Sequence, residues 1–235
     1  MLGRKPKPTG GEVTAMNQSF KGFFLLGAFL TFASQALPKN RNVNDGAIPP
    51  KISVRVHNYA QVSSEVLIRA EAAAAEILGN AGIEITWSNC DPARVDHDEP
   101  AGCNKVLGPT SLAVRILPQF GFIPGTSRRT MGVAAGYLAS VSIRRVKEEA
   151  IEFGVQPCEV LGPAIAHEIG HLLLGQQGHS PSGIMRARWR REDYERAPQG
   201  AFKFTAGQAQ SICTEVRSRV QEQGPAEVAI MTAAR

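Results

Sequence analysis

The chain has 235 residues, with 26 Lys and Arg against 21 Asp and Glu and a formal net charge of +5. Arg4, Lys5, Lys7, Lys21 and Glu12 fall in the first 36 positions, so the remainder carries 22 basic and 20 acidic residues, a net charge of +2. That balance gives no electrostatic argument for nucleic-acid or membrane-surface binding, and about 200 residues suffice for one domain with its own core.

In chain order, Lys21 precedes an apolar run over 22–32, after which Ala33, Ser34, Gln35 and Ala36 form a small-any-Ala cleavage site. This predicts a secretory signal over 1–36, with Met16 as an alternative start. The run is too short for a comfortable membrane span and no cysteine follows the site. Secretion to the periplasm or the exterior without a stable membrane anchor is the expectation. Residues 37–50, with Pro38, Gly46, Pro49 and Pro50, read as a flexible leader to a domain over 51–223.

Residues 51–57 alternate apolar and polar as a half-buried strand. Ser63 or Ser64 then caps a helix carrying Val66, Leu67, Ala70, Ala74, Ile77 and Leu78 on one face up to Gly79. Residues 83–87 give a second strand, and the strand-helix-strand order implies a right-handed crossover joining a parallel pair. Residues 111–117 give a third strand, and 130–135 with 137–143 one or two more, set apart by the glycine-rich stretch 121–125. A helix starting between Cys158 and Pro163 should end at Leu174 before Gly175. A short helix over 190–196 follows, and Thr205 with Gln208 is a capping-box signature for a last helix through Arg219. Residues 224–235 read as a frayed tail. In an exported chain, four cysteines suggest two disulfides. Of three pairings, Cys90–Cys103 with Cys158–Cys213 fits the spacing best.

The predicted helix ending at Leu174 carries the chemistry. Residues 167–185 read HEIGHLLLGQQGHSPSGIM, with three of the five histidines in the chain. His167 and His171, four apart, stack on one helical face, where both imidazoles reach one ion. Glu168 is placed to reach a water in the open position of that metal, as a general base would. Gly175 ends the helix and turns the chain back, and His179 follows on the return.

These residues resemble the metzincins, zinc metallopeptidases whose third histidine follows a helix-ending glycine and whose metal floor is a methionine turn. HEIGH, then HS, then GIM look most like the matrixin side. The resemblance implies an α+β fold of the zincin kind: a twisted mixed sheet with a long helix behind it, a central active-site helix, a Met-turn and a small helical C-terminal subdomain. It also implies Zn2+ held by His167, His171 and His179, Glu168 as catalytic base, and Gly175 and Met185 as structural residues of the site. A peptide or protein would be the substrate, and the small-residue strand over 132–136 would pair with it. In the family pattern each gap after the second histidine is three residues, whereas here each is four, which places His179 two positions late. No cysteine precedes Cys90 to cap a zinc, and no tyrosine within two positions of Met185 offers a fifth ligand.

Other readings stay open from the sequence alone. Glu192, Asp193 and Glu195 lie about where a thermolysin-like (gluzincin) peptidase takes an acidic third ligand, or they are a solvated face among Arg188, Arg190, Arg191 and Arg196. The arginines around Trp189 form a solvated rim or a site for an acidic substrate group. Met185 is a turn residue or core filler, the 132–136 strand an edge or an interior strand, and His57 and His97 surface or core histidines. A secreted zinc-stabilised binding module without turnover is the rival function. Oligomeric state is not legible.

Overall fold

The computed structural model describes residues 48–90, 103, 106–121, 126–127, 129–175 and 178–222, all inside a unit spanning Gly46–Arg235. The expectations for the signal over 1–36, for most of the leader, for His97 and for the tail lie outside the described residues.

Strand β1 (Lys51–Asn58) leads to helix α1 (Ser64–Gly79) and strand β2 (Glu84–Cys90). The Ser63 hydroxyl accepts a hydrogen bond from the Val66 N–H, satisfying one of the orphan donors of the first turn. Leu67, Ala70, Ala74, Ile77 and Leu78 form the buried stripe of α1. β1 and β2 pair in parallel, Ile52 beside Ile85 and Val54 beside Trp87, as the crossover argument requires. Strands β3 (Ser111–Leu117), β4 (Gly132–Ala135) and β5 (Leu138–Ser142) complete a mixed sheet of order β2-β1-β3-β5-β4. All pairs are parallel except β4 with β5. β4 therefore lies at a sheet edge, which decides between the edge and interior readings of residues 132–136.

Ile52, Val54, Val56, Leu112, Val114, Ile116, Ala139 and Val141 share one face of the sheet and are buried to within 1%. That face meets α1 and helix α3 (Pro157–Leu174). The two helices approach closely because the crossing is lined by small residues. A Cβ at Gly162 would stand 2.7 Å from the Ala70 carbonyl oxygen and from the Ala73 Cβ. α3 is apolar on nearly every side, as a helix through a domain centre must be, and Val160, Leu161, Ile165 and Ile169 are fully buried. Gln156 caps it, Pro157 occupies the first position, where no backbone donor is needed, and the Glu159 carboxylate accepts the Gln156 N–H at 2.6 Å. The helix thus starts just upstream of the expected window and ends at Leu174 as expected.

Two expectations fail. Residue 143 is not the end of a strand: β5 stops at Ser142, and Ile143 opens helix α2 (Ile143–Phe153), whose buried Ile143, Val146 and Ala150 recur every three or four positions. The disulfide joining Cys90 to Cys103 is present, with Cα atoms 5.7 Å apart, but Cys158 and Cys213 are both free. Cys158 sits in the first turn of α3, whereas helix α5 (Ala206–Glu222) crosses the other end, where Arg219 donates to the Leu172 carbonyl at 2.7 Å. The Cys213 thiol instead lies 3.0 Å from the Ala81 carbonyl oxygen, above the α1–β2 turn.

Below α3 the chain forms helix α4 (Arg191–Glu195) and a 3-10 turn, Ala197–Gln199, before α5. Trp189, Tyr194 and Phe202 pack edge to face with ring centroids 5.1–6.2 Å apart. Among the described residues no helix is long and apolar enough to cross a membrane.

Candidate metal centre

α3 presents His167 and His171 one turn apart on the side facing the cleft, and Gly175 ends the helix with φ +75°, a value few side chains tolerate. From Gly178 the chain returns across the helix end and brings His179 to the pair. The Nε2 atom of His171 lies 3.0 Å from that of His167 and 3.1 Å from that of His179. Among the described residues these three side chains form the one group of His, Cys, Asp and Glu able to hold a metal ion. Three nitrogens bound tetrahedrally at 2.0–2.1 Å stand about 3.3 Å apart, so the observed gaps need to open by only about 0.3 Å. The donor set fits zinc.

The surroundings keep the imidazoles in the ligand state. The His167 Nδ1 lies 2.8 Å from the Ile184 carbonyl oxygen, which can only accept. Nδ1–H is therefore the donor and the Nε2 lone pair faces the cluster. Burial lowers the His167 pKa to about 4, the neighbouring His171 and His179 add to that, and the Ile184 carbonyl opposes it. His171 is lowered by burial and by His179, against a hydrogen bond with the Gly175 backbone. His179 is exposed, so the cluster opens to solvent on its side.

The turn carrying Met185 closes the floor. Ser180 N–H donates to the Met185 carbonyl at 2.9 Å and Ile184 N–H to the Lys203 carbonyl at 3.0 Å. Gly183 has φ +76°, and a Cβ there would stand 2.3 Å from the Lys203 carbonyl oxygen, so the turn needs glycine twice over. Met185 is fully buried. A Cβ at Gly178 would meet both the Met185 methyl at 3.1 Å and His171 Nδ1 at 3.2 Å, which places the methionine beneath the second imidazole. The Ile184 carbonyl also accepts from Trp189 Nε1 at 3.1 Å, and the Trp189 ring stands edge to face with His167 at 5.6 Å.

Glu168 lines the same cleft, a volume of about 1090 Å³ bounded also by edge strand β4, by His167, His171 and His179 and by residues 186–189. Burial raises the Glu168 pKa to about 8, in the range where a carboxyl both takes and returns a proton near neutrality. The acidic rivals for the third position stand elsewhere. Glu192 and Glu195 are exposed on α4, and Asp193 accepts from Arg186 at 2.7 and 3.0 Å and from the Arg190 N–H at 2.8 Å. The arginine patch is only partly a solvated rim: Arg186 is held by Asp193, and Arg191 donates to the Glu152 and Phe153 carbonyls at the end of α2. Outside the site, His57 stacks on Tyr59 at 6.0 Å.

Nothing in the sequence singles out the Ile184 carbonyl, Trp189 or Gly183 for these roles. A carbonyl carries no residue-type signal, and the requirement for glycine at 183 arises from a strand of chain twenty residues away.

No protein-family model matches the chain, and no curated protein matches it. Solved structures similar to it include the following two. Archaemetzincin from Methanopyrus kandleri is 16% identical with a TM-score of 0.47, over 74% of this chain and 99% of that one. Metalloproteinase-II from Bacteroides fragilis is 13% identical with a TM-score of 0.47, over 73% of this chain and 55% of that one. The chemistry of the site is read from its own residues.

Proposed function

We propose that this chain is an exported zinc-dependent endopeptidase of zincin-like fold, cleaving peptide or protein substrates. The observation that carries the reading is the convergence of His167, His171 and His179 at 3.0–3.1 Å with Glu168 in the same cleft. Zinc held by the three imidazoles would supply a polarised carbonyl and a water acidified to a pKa of about 7. The Glu168 carboxylate accepts the proton of the attacking water and hands it to the departing amine, so one side chain serves as base and then acid. β4, at the edge of the sheet and lining the cleft, offers backbone groups to an extended substrate. A leader with signal-like composition over 1–36 and the Cys90–Cys103 disulfide support export.

The test is the Glu168→Ala variant assayed with casein. Zinc content of one per chain with turnover reduced at least a thousandfold supports the assignment. Undiminished turnover overturns it. Full zinc content with no turnover in the unmodified protein would leave a zinc-stabilised binding module instead.

A further inference from the structure

We infer that Gly132 is the positioning residue for Glu168: the bare α-carbon of the edge strand is the seat against which the carboxylate rests. A Cβ built at Gly132 would stand 2.1 Å from Glu168 Oε1, 2.4 Å from Cδ and 2.6 Å from Cγ. Three consecutive atoms of one side chain thus lie in the space that any other residue would fill.

Backbone conformation does not require glycine at this place. Gly132 is not among the residues with positive φ, unlike Gly136 in the following turn, so any L residue could adopt its dihedrals. Space alone excludes a side chain. Neither wall can readily yield. Gly132 pairs with Val141 in the β4–β5 ladder, and the Ser142 N–H donates to the Met131 carbonyl at 2.8 Å. Glu168 rises from a helix whose flanking Ile165, Ala166 and Ile169 are fully buried. Among the described residues no hydrogen bond holds the Glu168 carboxylate. Contact with the edge strand therefore fixes its position, and the space it occupies is the one a Gly132 side chain would fill. A methyl group there would displace the carboxylate by on the order of 1 Å to restore van der Waals separation.

The inference rests on the proposed role of Glu168, and the experiment separates the two. In a cycle of Gly132→Ala, Glu168→Ala and the double variant, Gly132→Ala should lower the melting midpoint of the metal-free protein by roughly 5 °C when Glu168 is present. In the Glu168→Ala background the same change should move it by less than about 1 °C. If Gly132→Ala alone does not fold, the double variant should fold. In turnover, Gly132→Ala should lower kcat about a hundredfold with KM and zinc content little changed, because a displacement of this size misplaces the base. Equal midpoint shifts in the two backgrounds, or a double variant no better folded than the single one, would overturn the inference. The melting cycle reads the seat whether or not the chain hydrolyses peptides, so a chain with coupled midpoints and no turnover refutes the proposed function and leaves the seat standing.

Discussion

Burial of Glu168 makes a quantitative prediction about the metal-free protein. Its pKa is raised from 4.5 to about 8. Between those values the folded chain holds a proton that the unfolded chain has released, so stability is greatest below 4.5 and falls as pH rises toward 8. Each pH unit across that window costs about 1.4 kcal/mol for one retained proton, and integration from pH 5 to pH 8 gives a loss of roughly 3 to 4 kcal/mol from this one group. Glu168→Gln removes the titration and keeps the shape. Urea denaturation in EDTA at pH 5 and pH 8, on both proteins, isolates the group because every other titration is shared. The unmodified protein should lose about 3 to 4 kcal/mol more than the variant over that interval. Adding zinc should flatten the difference, since a nearby cation favours the carboxylate. Parallel pH dependences, within about 1 kcal/mol, would mean that the carboxylate is solvated in the folded state and would refute the reasoning.

Four further outcomes follow from named contacts. His179→Ala should weaken zinc binding at least a hundredfold in competition with a chelator, whereas Glu192→Gln and Glu195→Gln should leave it within twofold, since both acids are exposed on α4. Thiol labelling of the denatured, unreduced protein should find two reactive cysteines, Cys158 and Cys213, and loss of the Cys90–Cys103 bridge should cost about 3 kcal/mol in urea. Gly183→Ala, forcing a Cβ against the Lys203 carbonyl at positive φ, should cost about 2 to 4 kcal/mol of stability by the same measurement. Gln208→Ala should lower zinc affinity about tenfold with catalysis otherwise intact, because Gln208 Nε2 donates to the Gly178 carbonyl at 3.0 Å and holds the return beside His179.

What was legible in the sequence is what local periodicity fixes. The i, i+4 spacing of His167 and His171 dictates a shared helical face whatever the rest of the chain does. The same holds for the stripe of α1, for the 111–117 strand, which the structure matches residue for residue, and for the Thr205–Gln208 cap, where both reciprocal hydrogen bonds form at 3.0 and 3.3 Å. The features missed depend on chain brought from elsewhere. Glycine at 132 signals only a close approach, and nothing local says that the approaching group is Glu168. The Cys158–Cys213 pairing failed because counting cysteines supplies parity but no geometry, and α5 crosses the end of α3 remote from Cys158. α2 is the exception: Ile143, Val146 and Ala150 carry a helical period, yet the sequence reading has no helix there, because the β-rich run immediately before it drew Ile143 into a strand.

The late position of His179 shows why the spacing of converging histidines tolerates change after a helix but not within it. Moving His171 by one residue would swing it about 100° around the helix axis, away from His167 and His179. Eight residue steps from His171 to His179, in place of six in the metzincin pattern, add only about 0.3 kcal/mol of closure entropy. What the longer return needs is anchorage, and the fold supplies it at two points. Gly178 lies against the Met185 methyl and His171, and its carbonyl is gripped by Gln208, whose Oε1 meanwhile accepts the Thr205 N–H that opens α5. The glutamine of the capping box therefore links the last helix to the third imidazole. The lengthened return keeps its histidine on target because α5 reaches back to hold it.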